Sequence, residues 1–160
     1  MINDRIRKLV NRMVRLGKPG MINLNKAQID DMVRYIESRG DIIAFYLYGS
    51  HGTEYQTVFS DVDLAILPMP ASDFDFNEEL NIMSKLNDLG NSDDINLVNL
   101  KKAPVTLQMK VLDSGRLLYC ADAVLLADFI ESVILKYSDF EPDLRLFNED
   151  YDYSLKKEYL

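Results

Sequence analysis

The sequence has few of the residues on which disulfide-bonded, zinc-binding and membrane proteins depend. Cys120 is the only cysteine, which excludes an internal disulfide and a cysteine-rich zinc site. His51 is the only histidine, so no second imidazole is available as a zinc ligand. No apolar run approaches the roughly 20 residues that a bilayer crossing needs, and the first residues lack the apolar block of a signal peptide. We therefore expect a cytoplasmic protein with no membrane partner.

Basic residues are also scarce. The chain has 18 Lys and Arg against 26 Asp and Glu, a net charge of −8. Residues 1–18 carry six basic side chains and one acidic one (+5), so the rest of the chain carries −13. Proteins that bind nucleic acids neutralise phosphates with Lys and Arg, so an acidic body argues against direct nucleic-acid binding. The basic N-terminal segment is either a solvated helix face or a local docking surface.

Hydrophobic periodicity and caps predict a chain that alternates between helices and strands. A length of 160 residues favours one domain, and strands that lack polar alternation indicate a sheet covered on both faces. A capping box at Asn25 and Gln28 opens the second helix, Gly40 ends it, and Gly90 is the expected C-cap of the third. We predict an α/β (α+β) fold with a small mixed central sheet flanked by helices. Expected helices cover 2–16, 26–39, 75–89, 104–112 and 121–137, with a helical tail from 143; expected strands cover 42–48, 62–67, 95–100 and 116–119.

Two carboxylates stand at the start of the second strand, in the stretch YLYGSHGTEYQTVFSDVDLAIL at 46–67. Side chains alternate along a strand, so Asp61 and Asp63 project to one face and Val62 and Leu64 to the other. Carboxylates that converge at the mouth of an apolar sheet repel each other and lose hydration. Either one is protonated or a cation lies between them. Mg²⁺ fits, because it takes one or two carboxylates and completes its octahedron with phosphate oxygens and water.

Gly49 and Ser50 end the first strand, and Ser50 lies eleven positions upstream of Asp61. A glycine lets the backbone approach a ligand closely, since it has no Cβ. The N–H groups of such a turn bind anionic phosphate, and a serine hydroxyl adds one hydrogen bond. The pair therefore predicts a phosphate site beside the carboxylates.

These residues together resemble a known signature. Gly49-Ser50, ten intervening residues and Asp61-Val62-Asp63 resemble the GS-x10-D-x-D motif of the DNA polymerase β-like nucleotidyltransferases, and look most like their minimal branch. Ser60 before the first aspartate, Ala103-Pro104 opening a helix, and Ser-Gly-Arg-Leu-Leu-Tyr at 114–119 follow the same order. The resemblance covers roughly residues 40 to 120.

The resemblance implies a catalytic centre. Asp61 and Asp63 would hold two Mg²⁺ ions roughly 3.5–4 Å apart, which bridge the carboxylates and the triphosphate of ATP, the substrate. Gly49 and Ser50 would bind the β- and γ-phosphates, with Ser60 adjoining them. It also implies a nucleotidyltransferase core at 25–120 within one domain of residues 1–160, preceded by a basic helix at 1–18 and followed by a helical extension at 121–160.

Two departures from the family pattern stand out. Counting back from Ala103-Pro104, the third carboxylate of the family falls on Asn96, which offers a metal a neutral oxygen but accepts no proton. Asp94, two residues earlier on the same strand face, is the alternative ligand. The loop run His51-Gly52-Thr53-Glu54 also lacks the arginine that the family often has there. His51 itself is expected to be a loop histidine hydrogen-bonded to the backbone.

Small members of this family resemble the antitoxin of two-gene modules whose partner is a HEPN-domain ribonuclease toxin. The resemblance implies transfer of AMP from ATP to a tyrosine of that toxin within a hetero-oligomer. A protein acceptor needs a docking surface, for which the basic first helix and the tyrosine-rich tail are candidates; the tail equally suits a helix packed back on the domain. About forty residues follow the core, too few for the acceptor domain of larger relatives. The alternatives are an antitoxin that acts by binding alone, suggested by Asn96, and a small-molecule (antibiotic) nucleotidyltransferase.

Overall fold

The computed structural model describes residues 23–57, 60–72 and 74–159, with side chains described up to 143 and at Arg145. Within these residues there are four strands and four helices. The strands are β1 (Ile42–Tyr48), β2 (Val62–Pro68), β3 (Ile95–Asn99) and β4 (Arg116–Cys120), and the helices are α1 (Lys26–Arg39), α2 (Phe76–Gly90), α3 (Val105–Ser114) and α4 (Ala123–Tyr159). None of the described helices combines the length and apolar character needed to cross a bilayer.

The sheet is mixed, with the spatial order β3-β2-β1-β4. β1 runs antiparallel to both β2 and β4, whereas β2 runs parallel to β3. A parallel pair needs a crossover connection, and α2 supplies it between β2 and β3. All seven residues of β1 are buried, as expected for a strand covered on both faces. The predicted α/β (α+β) fold with a small mixed sheet is therefore confirmed.

Two hydrophobic cores lie on opposite faces of the sheet. Alternation along β2 sends Val62, Leu64 and Ile66 to the first core and Ala65 and Leu67 to the second. α1 and α2 cover the first core through residues that are almost fully buried: Met32, Ile36, Ile82 and Leu86. α3 and α4 cover the second through Val111, Leu126 and their neighbours.

The capping box of α1 forms as predicted. The Asn25 side chain accepts a hydrogen bond from the Gln28 N–H at 2.9 Å, and the Gln28 side chain accepts one from the Asn25 N–H at 2.9 Å. The helix ends at Gly40, which is left-handed with φ 71°. Gln28 Nε2 also donates to the Gly90 carbonyl at 3.0 Å, which ties the start of α1 to the end of α2.

The prediction that Gly90 caps α2 is wrong. Asn91 takes the left-handed cap conformation with φ 49°, and Gly90 is the last, buried residue of the helix. A Cβ at Gly90 would lie 2.5 Å from Ile95 Cδ1 and 3.0 Å from Met32 Cε. The glycine therefore leaves room for the ends of side chains from β3 and α1, whereas the cap falls to an asparagine, the other residue that tolerates this conformation.

The remaining differences concern element ends. Where separate helices were expected at 121–137 and from 143, one helix runs from Ala123 to Tyr159 and includes Pro142, although a proline removes one helical hydrogen bond. Other observed ends also differ by one or two residues from those expected: the strand ends at Pro68, Asn99 and Cys120, the helix ends at Gly90 and Ser114, and the helix starts at Phe76, Val105 and Ala123. The helix predicted at 2–16 lies outside the described residues.

We predict that Gly90→Ala destabilises the protein. Alanine normally stabilises a helix interior by about 1 kcal/mol relative to glycine. Here its Cβ would push into packed side chains, and overpacking of a core costs about 1–3 kcal/mol. The thermal midpoint should therefore fall. The exposed Ser84→Ala in the same helix, where alanine meets no core, is the control and should leave the midpoint unchanged or higher. A rise in the Gly90→Ala midpoint would contradict the packing explanation.

Candidate functional site

Three strands bring Tyr48, Asp63 and Asn96 side by side across the sheet. In the register, Asp63 of β2 is opposite Tyr48 of β1 on one side and Asn96 of β3 on the other. Asp61 directly precedes β2, two residues before Asp63. Because strand residues two apart share a face, both carboxylates lie on the side of the sheet that α3 and α4 cover.

Asn96 joins the two carboxylates. Its Nδ2 donates to Asp61 Oδ2 at 3.3 Å and to Asp63 Oδ1 at 3.3 Å. Asp61 is exposed and Asp63 is partly buried. Burial raises the pKa of Asp63, and the nearby Asp61 charge raises it further, while the Asn96 hydrogen bond and the Lys110 charge lower it. Asp61 and Asp63 therefore face the same side of the sheet, as predicted, and they share Asn96 Nδ2 as a hydrogen-bond donor.

Gly49 makes room for the Asp63 carboxylate. The glycine has φ 81°, and a Cβ there would lie 2.5 Å from Asp63 Oδ2. Asp63 therefore turns one oxygen toward Asn96 and the other toward the turn that begins at Gly49. In that turn the Ser50 carbonyl accepts from the Thr53 N–H at 3.0 Å and from its hydroxyl at 2.7 Å. The predicted phosphate turn thus lies against the predicted metal ligand.

Ser60 is held within its own loop. Its hydroxyl accepts from the Thr57 N–H at 2.9 Å and lies 3.2 Å from the Thr57 hydroxyl. The Ser60 N–H donates to the Thr57 carbonyl at 3.0 Å. The residue shapes the approach to Asp61, and its expected place beside the phosphates stays a prediction.

Asp94 supports the start of β2 through its backbone. Its carbonyl accepts from the Val62 N–H at 2.9 Å, and its own N–H donates to Ser92 Oγ at 3.2 Å. Extending the β2–β3 register by one step places Asp94 beside Asp61. Asn96 is the residue of β3 that bonds to both carboxylates. The metal-ligand roles of Asp94 and Asn96 stay predictions.

His51 has a structural role, as predicted. Its Nε2 accepts a hydrogen bond from the Leu24 N–H at 3.2 Å, which links the phosphate turn to the residues before α1. Burial lowers the pKa of His51, and the Arg116 charge lowers it further. A neutral imidazole is the form that accepts such a bond.

Two basic residues near the site were not predicted from the sequence. Arg116 opens β4 opposite Leu47 and lines a cleft of about 830 Å³ together with Gly49 and Thr53. Lys110 lies on α3, and its charge acts on Asp63. Both side chains are exposed. The loop arginine is absent. Arg116 comes close to the turn from the face of the sheet that α1 covers, whereas Lys110 acts on Asp63 from the opposite face, and both lie more than fifty residues away from the turn in sequence. The only available signal was Arg116 in the Ser-Gly-Arg stretch at 114–119.

Tyr48 forms one wall of the site. Burial raises its pKa to about 12, with a further contribution from the Asp63 charge. The phenol therefore stays protonated and adds no charge beside the carboxylates. Among the described residues no group of three or more His, Cys, Asp or Glu is placed to hold a metal ion. Any cation here would rely on two carboxylates and one amide.

Comparisons with known proteins bear on this geometry. The family model described as polymerase beta, nucleotidyltransferase matches residues 30–124, more than half of the chain. A comparison with curated proteins gives no significant match. A chain from the crystal structure of a toxin–antitoxin with AMP-PNP is 25% identical with a TM-score of 0.64, over 80% of this chain and 98% of that one.

Two further structures have the same fold. A chain from the complex of a tri-AMPylated Shewanella oneidensis HEPN toxin with its MNT antitoxin is 22% identical with a TM-score of 0.62, over 78% of this chain and 95% of that one. A chain from the toxin–antitoxin MntA-HepT is 20% identical with a TM-score of 0.63, over 79% of this chain and 98% of that one. The family predicted from the Gly-Ser and Asp-x-Asp residues is confirmed: the chain belongs to the polymerase beta nucleotidyltransferase family.

Proposed function

We propose that this protein is an antitoxin that transfers AMP from ATP to a tyrosine of a cognate HEPN ribonuclease toxin and so neutralises it. The observation that carries the proposal is the contact between the two halves of the site: Asp63 turns Oδ2 toward Gly49 while Asp61 stands beside it. A triphosphate bound at the turn would then meet the carboxylates directly. Similarity to toxin–antitoxin structures, one holding AMP-PNP and one a tri-AMPylated toxin, supports the substrate and the acceptor.

The donor set fits Mg²⁺. The described residues offer two adjacent carboxylates and no larger ligand cluster, and Mg²⁺ typically takes one or two carboxylates together with substrate phosphates. Asp61 and Asp63 would hold the ion, with Asn96 next to them. When bound, Mg²⁺ neutralises the negative charge of the triphosphate and of the departing pyrophosphate.

The remaining residues bind and orient the nucleotide. The N–H groups at the start of the 49–53 turn, together with the Ser50 hydroxyl, would hold the phosphates, since amides in a turn form an anion site. The N–H groups of Gly52 and Thr53 instead donate within the loop, to Gln56 Oε1 and to the Ser50 carbonyl. The tyrosine oxygen of the toxin attacks the α-phosphorus, a new P–O bond forms, and the bond from that phosphorus to the bridging oxygen breaks. Pyrophosphate leaves with the bond electrons, and the phenolic proton passes to water, because Asn96 has no basic oxygen to accept it.

Lys110 and Arg116 would take the place of the missing loop arginine. Both are exposed, Arg116 lines the same cleft as Gly49, and the Lys110 charge acts on Asp63. Cationic side chains bind phosphate through charge-assisted hydrogen bonds. Lys110, on the α3 side of the sheet, would contact a triphosphate that meets Asp63, and Arg116, on the α1 side, would contact one that extends from the turn into its cleft.

A protein acceptor requires a docking surface, and α4 exposes one that is partly apolar. Leu126 and Val133 face the core, whereas Val124 is 70% exposed and Leu135 is 61% exposed on the opposite side of the helix. Exposed Asp128 and Glu131 lie between them on that side, so α4 presents a mixed apolar and acidic surface that would suit a protein partner with basic residues. The docking role expected for residues 1–18 and for the tyrosine-rich tail falls outside the described side chains.

One observation favours a second function, inhibition of the toxin by binding alone. Asn96 stands where the family has a third carboxylate, and in its absence no general base faces the acceptor from β3. A protein that covers the toxin surface would need no transfer chemistry. AMP transfer would add mass to the toxin, whereas inhibition by binding alone would leave the mass of the toxin unchanged.

The first test replaces both metal ligands. We expect the Asp61→Ala, Asp63→Ala double variant to lose AMP transfer by about 10³-fold or more, because a metal ion supplies several kcal/mol of charge stabilisation. Toxin, ATP and Mg²⁺ are incubated with each protein, and the toxin is weighed by mass spectrometry while its ribonuclease activity is followed. A toxin inhibited equally by both proteins, without added mass, would select inhibition by binding.

The second test asks whether the missing side chain at Gly49 matters to nucleotide binding. Gly49→Ala would place a methyl group against Asp63 Oδ2 and displace that carboxylate, so we expect ATP affinity in Mg²⁺ to fall about tenfold. Gly52→Ala is the matched control: it lies in the same turn with φ 73°, but its Cβ would meet nothing within 4 Å. Backbone strain is common to both variants, so equal losses in calorimetry would refute the contact with Asp63.

The third test concerns the cations that the sequence did not predict. We expect Lys110→Gln and Arg116→Gln each to weaken ATP binding about threefold to tenfold, the value of one hydrogen bond at an exposed position. Lys85→Gln on α2 removes an equally exposed charge that has no part in the site, and it should leave the affinity unchanged. If all three variants behave alike, the effect is one of net charge and the assignment of Lys110 and Arg116 fails.

A further inference from the structure

Asn96 occupies the position from which one side chain reaches both carboxylates. Its Nδ2 lies 3.3 Å from Asp61 Oδ2 and 3.3 Å from Asp63 Oδ1. An amide nitrogen carries two hydrogens, so it can donate one to each carboxylate. Both distances are near the upper end for N–H···O bonds, which is the arrangement of a donor shared between two acceptors rather than bound tightly to one.

The electrostatic consequence follows from the residue type. Two carboxylates that share one donor repel each other less than two left alone, because the amide hydrogens lie between them. An aspartate at 96 would instead place a third negative charge within the same distance of both. In the protein without a bound ion, the Asn96 amide therefore bridges Asp61 and Asp63. In the loaded site a cation bridges them instead.

We propose that Asn96 is a positioning residue that bridges Asp61 and Asp63 until a cation replaces it, and that it makes Mg²⁺ binding conditional on the nucleotide. The inference rests on the proposed function and deepens it. Two carboxylates without a third give Mg²⁺ too little negative charge to displace the amide. The phosphate oxygens of ATP supply the rest. Mg²⁺ then enters as part of the ATP complex and does not occupy the site beforehand.

Rotation of the Asn96 amide connects the two states. Turned by half a revolution, the side chain presents Oδ1 in place of Nδ2, and an amide oxygen is an acceptable ligand for a hard cation. The same residue can thus donate to the carboxylates in the empty site and face the cation in the loaded one. Aspartate cannot do the first and alanine can do neither.

The test compares Asn96→Asp with Asn81→Asp, the same substitution at an exposed position of α2 outside the site. Thermal midpoints are measured in chelator, in Mg²⁺ alone, and in Mg²⁺ with AMP-PNP. In chelator, Asn96→Asp should lower the midpoint and Asn81→Asp should not. Mg²⁺ alone should then stabilise Asn96→Asp strongly and the natural protein barely. Calorimetry should give Asn96→Asp about tenfold higher affinity for Mg²⁺ alone, the effect of one added charge at short range.

A second variant separates the lost bridge from the added charge. Asn96→Ala should also lower the midpoint in chelator but gain no affinity for Mg²⁺ alone. It also supplies the readout should Asn96→Asp fail to fold. Strong Mg²⁺ binding by the natural protein without nucleotide, or unchanged midpoints for both variants in chelator, would overturn the inference. These measurements use no toxin, so a pattern as expected together with a toxin that gains no mass would reject the transfer activity and leave the role of Asn96 standing.

Discussion

The register of β2 between β1 and β3 is the constraint on which both the core and the site depend. Val62, Leu64 and Ile66 fill the first core, and this fixes Asp63 on the opposite face between Tyr48 and Asn96. A slip of one residue would exchange the two faces and place a carboxylate among buried aliphatic side chains. Because burying a carboxylate in the core would cost free energy, the register is fixed by the apolar residues of β2. These residues therefore position Asp63 together with the contacts within the site.

The sequence predicted those parts of the fold whose signals are local. β1 and α1 match in both bounds, because an uninterrupted apolar run and a capping box with a closing glycine are read from neighbouring residues. Gly90 shows the limit. A glycine near a helix end serves either a left-handed cap or close packing, and only the proximity of Ile95 and Met32 decides between them. Likewise, no local rule said that α4 would continue through Pro142.

In the candidate site, too, the sequence predicted the residues with a local signal and missed those that only the fold brings together. The spacing of Gly49, Asp61 and Asp63 was enough to predict a carboxylate pair beside a phosphate turn, and the coordinates place Asp63 Oδ2 against that glycine. Arg116 escaped prediction because the pairing of β4 with β1 brings it to the turn, and Lys110 because the packing of α3 on the second core brings it to Asp63. Basic side chains on exposed positions have no spacing signal of their own. They become candidates only once the sheet order is known.

The two departures from the family pattern cancel in charge. Replacing the third carboxylate by Asn96 removes one negative charge from the sheet, and the absence of an arginine after Gly49-Ser50 removes one positive charge from the loop. Relative to the pattern that the resemblance implies, the net charge of the loop and strand residues is therefore unchanged, before Lys110 and Arg116 are counted. What changes is the distribution of charge: the negative charge lies on Asp61 and Asp63, which Asn96 bridges, and the positive charge lies on exposed residues of α3 and β4. A site that lacked only the third carboxylate would attract an anionic nucleotide more strongly, because one negative charge is gone. A site that lacked only the loop arginine would attract it more weakly, because one positive charge is gone.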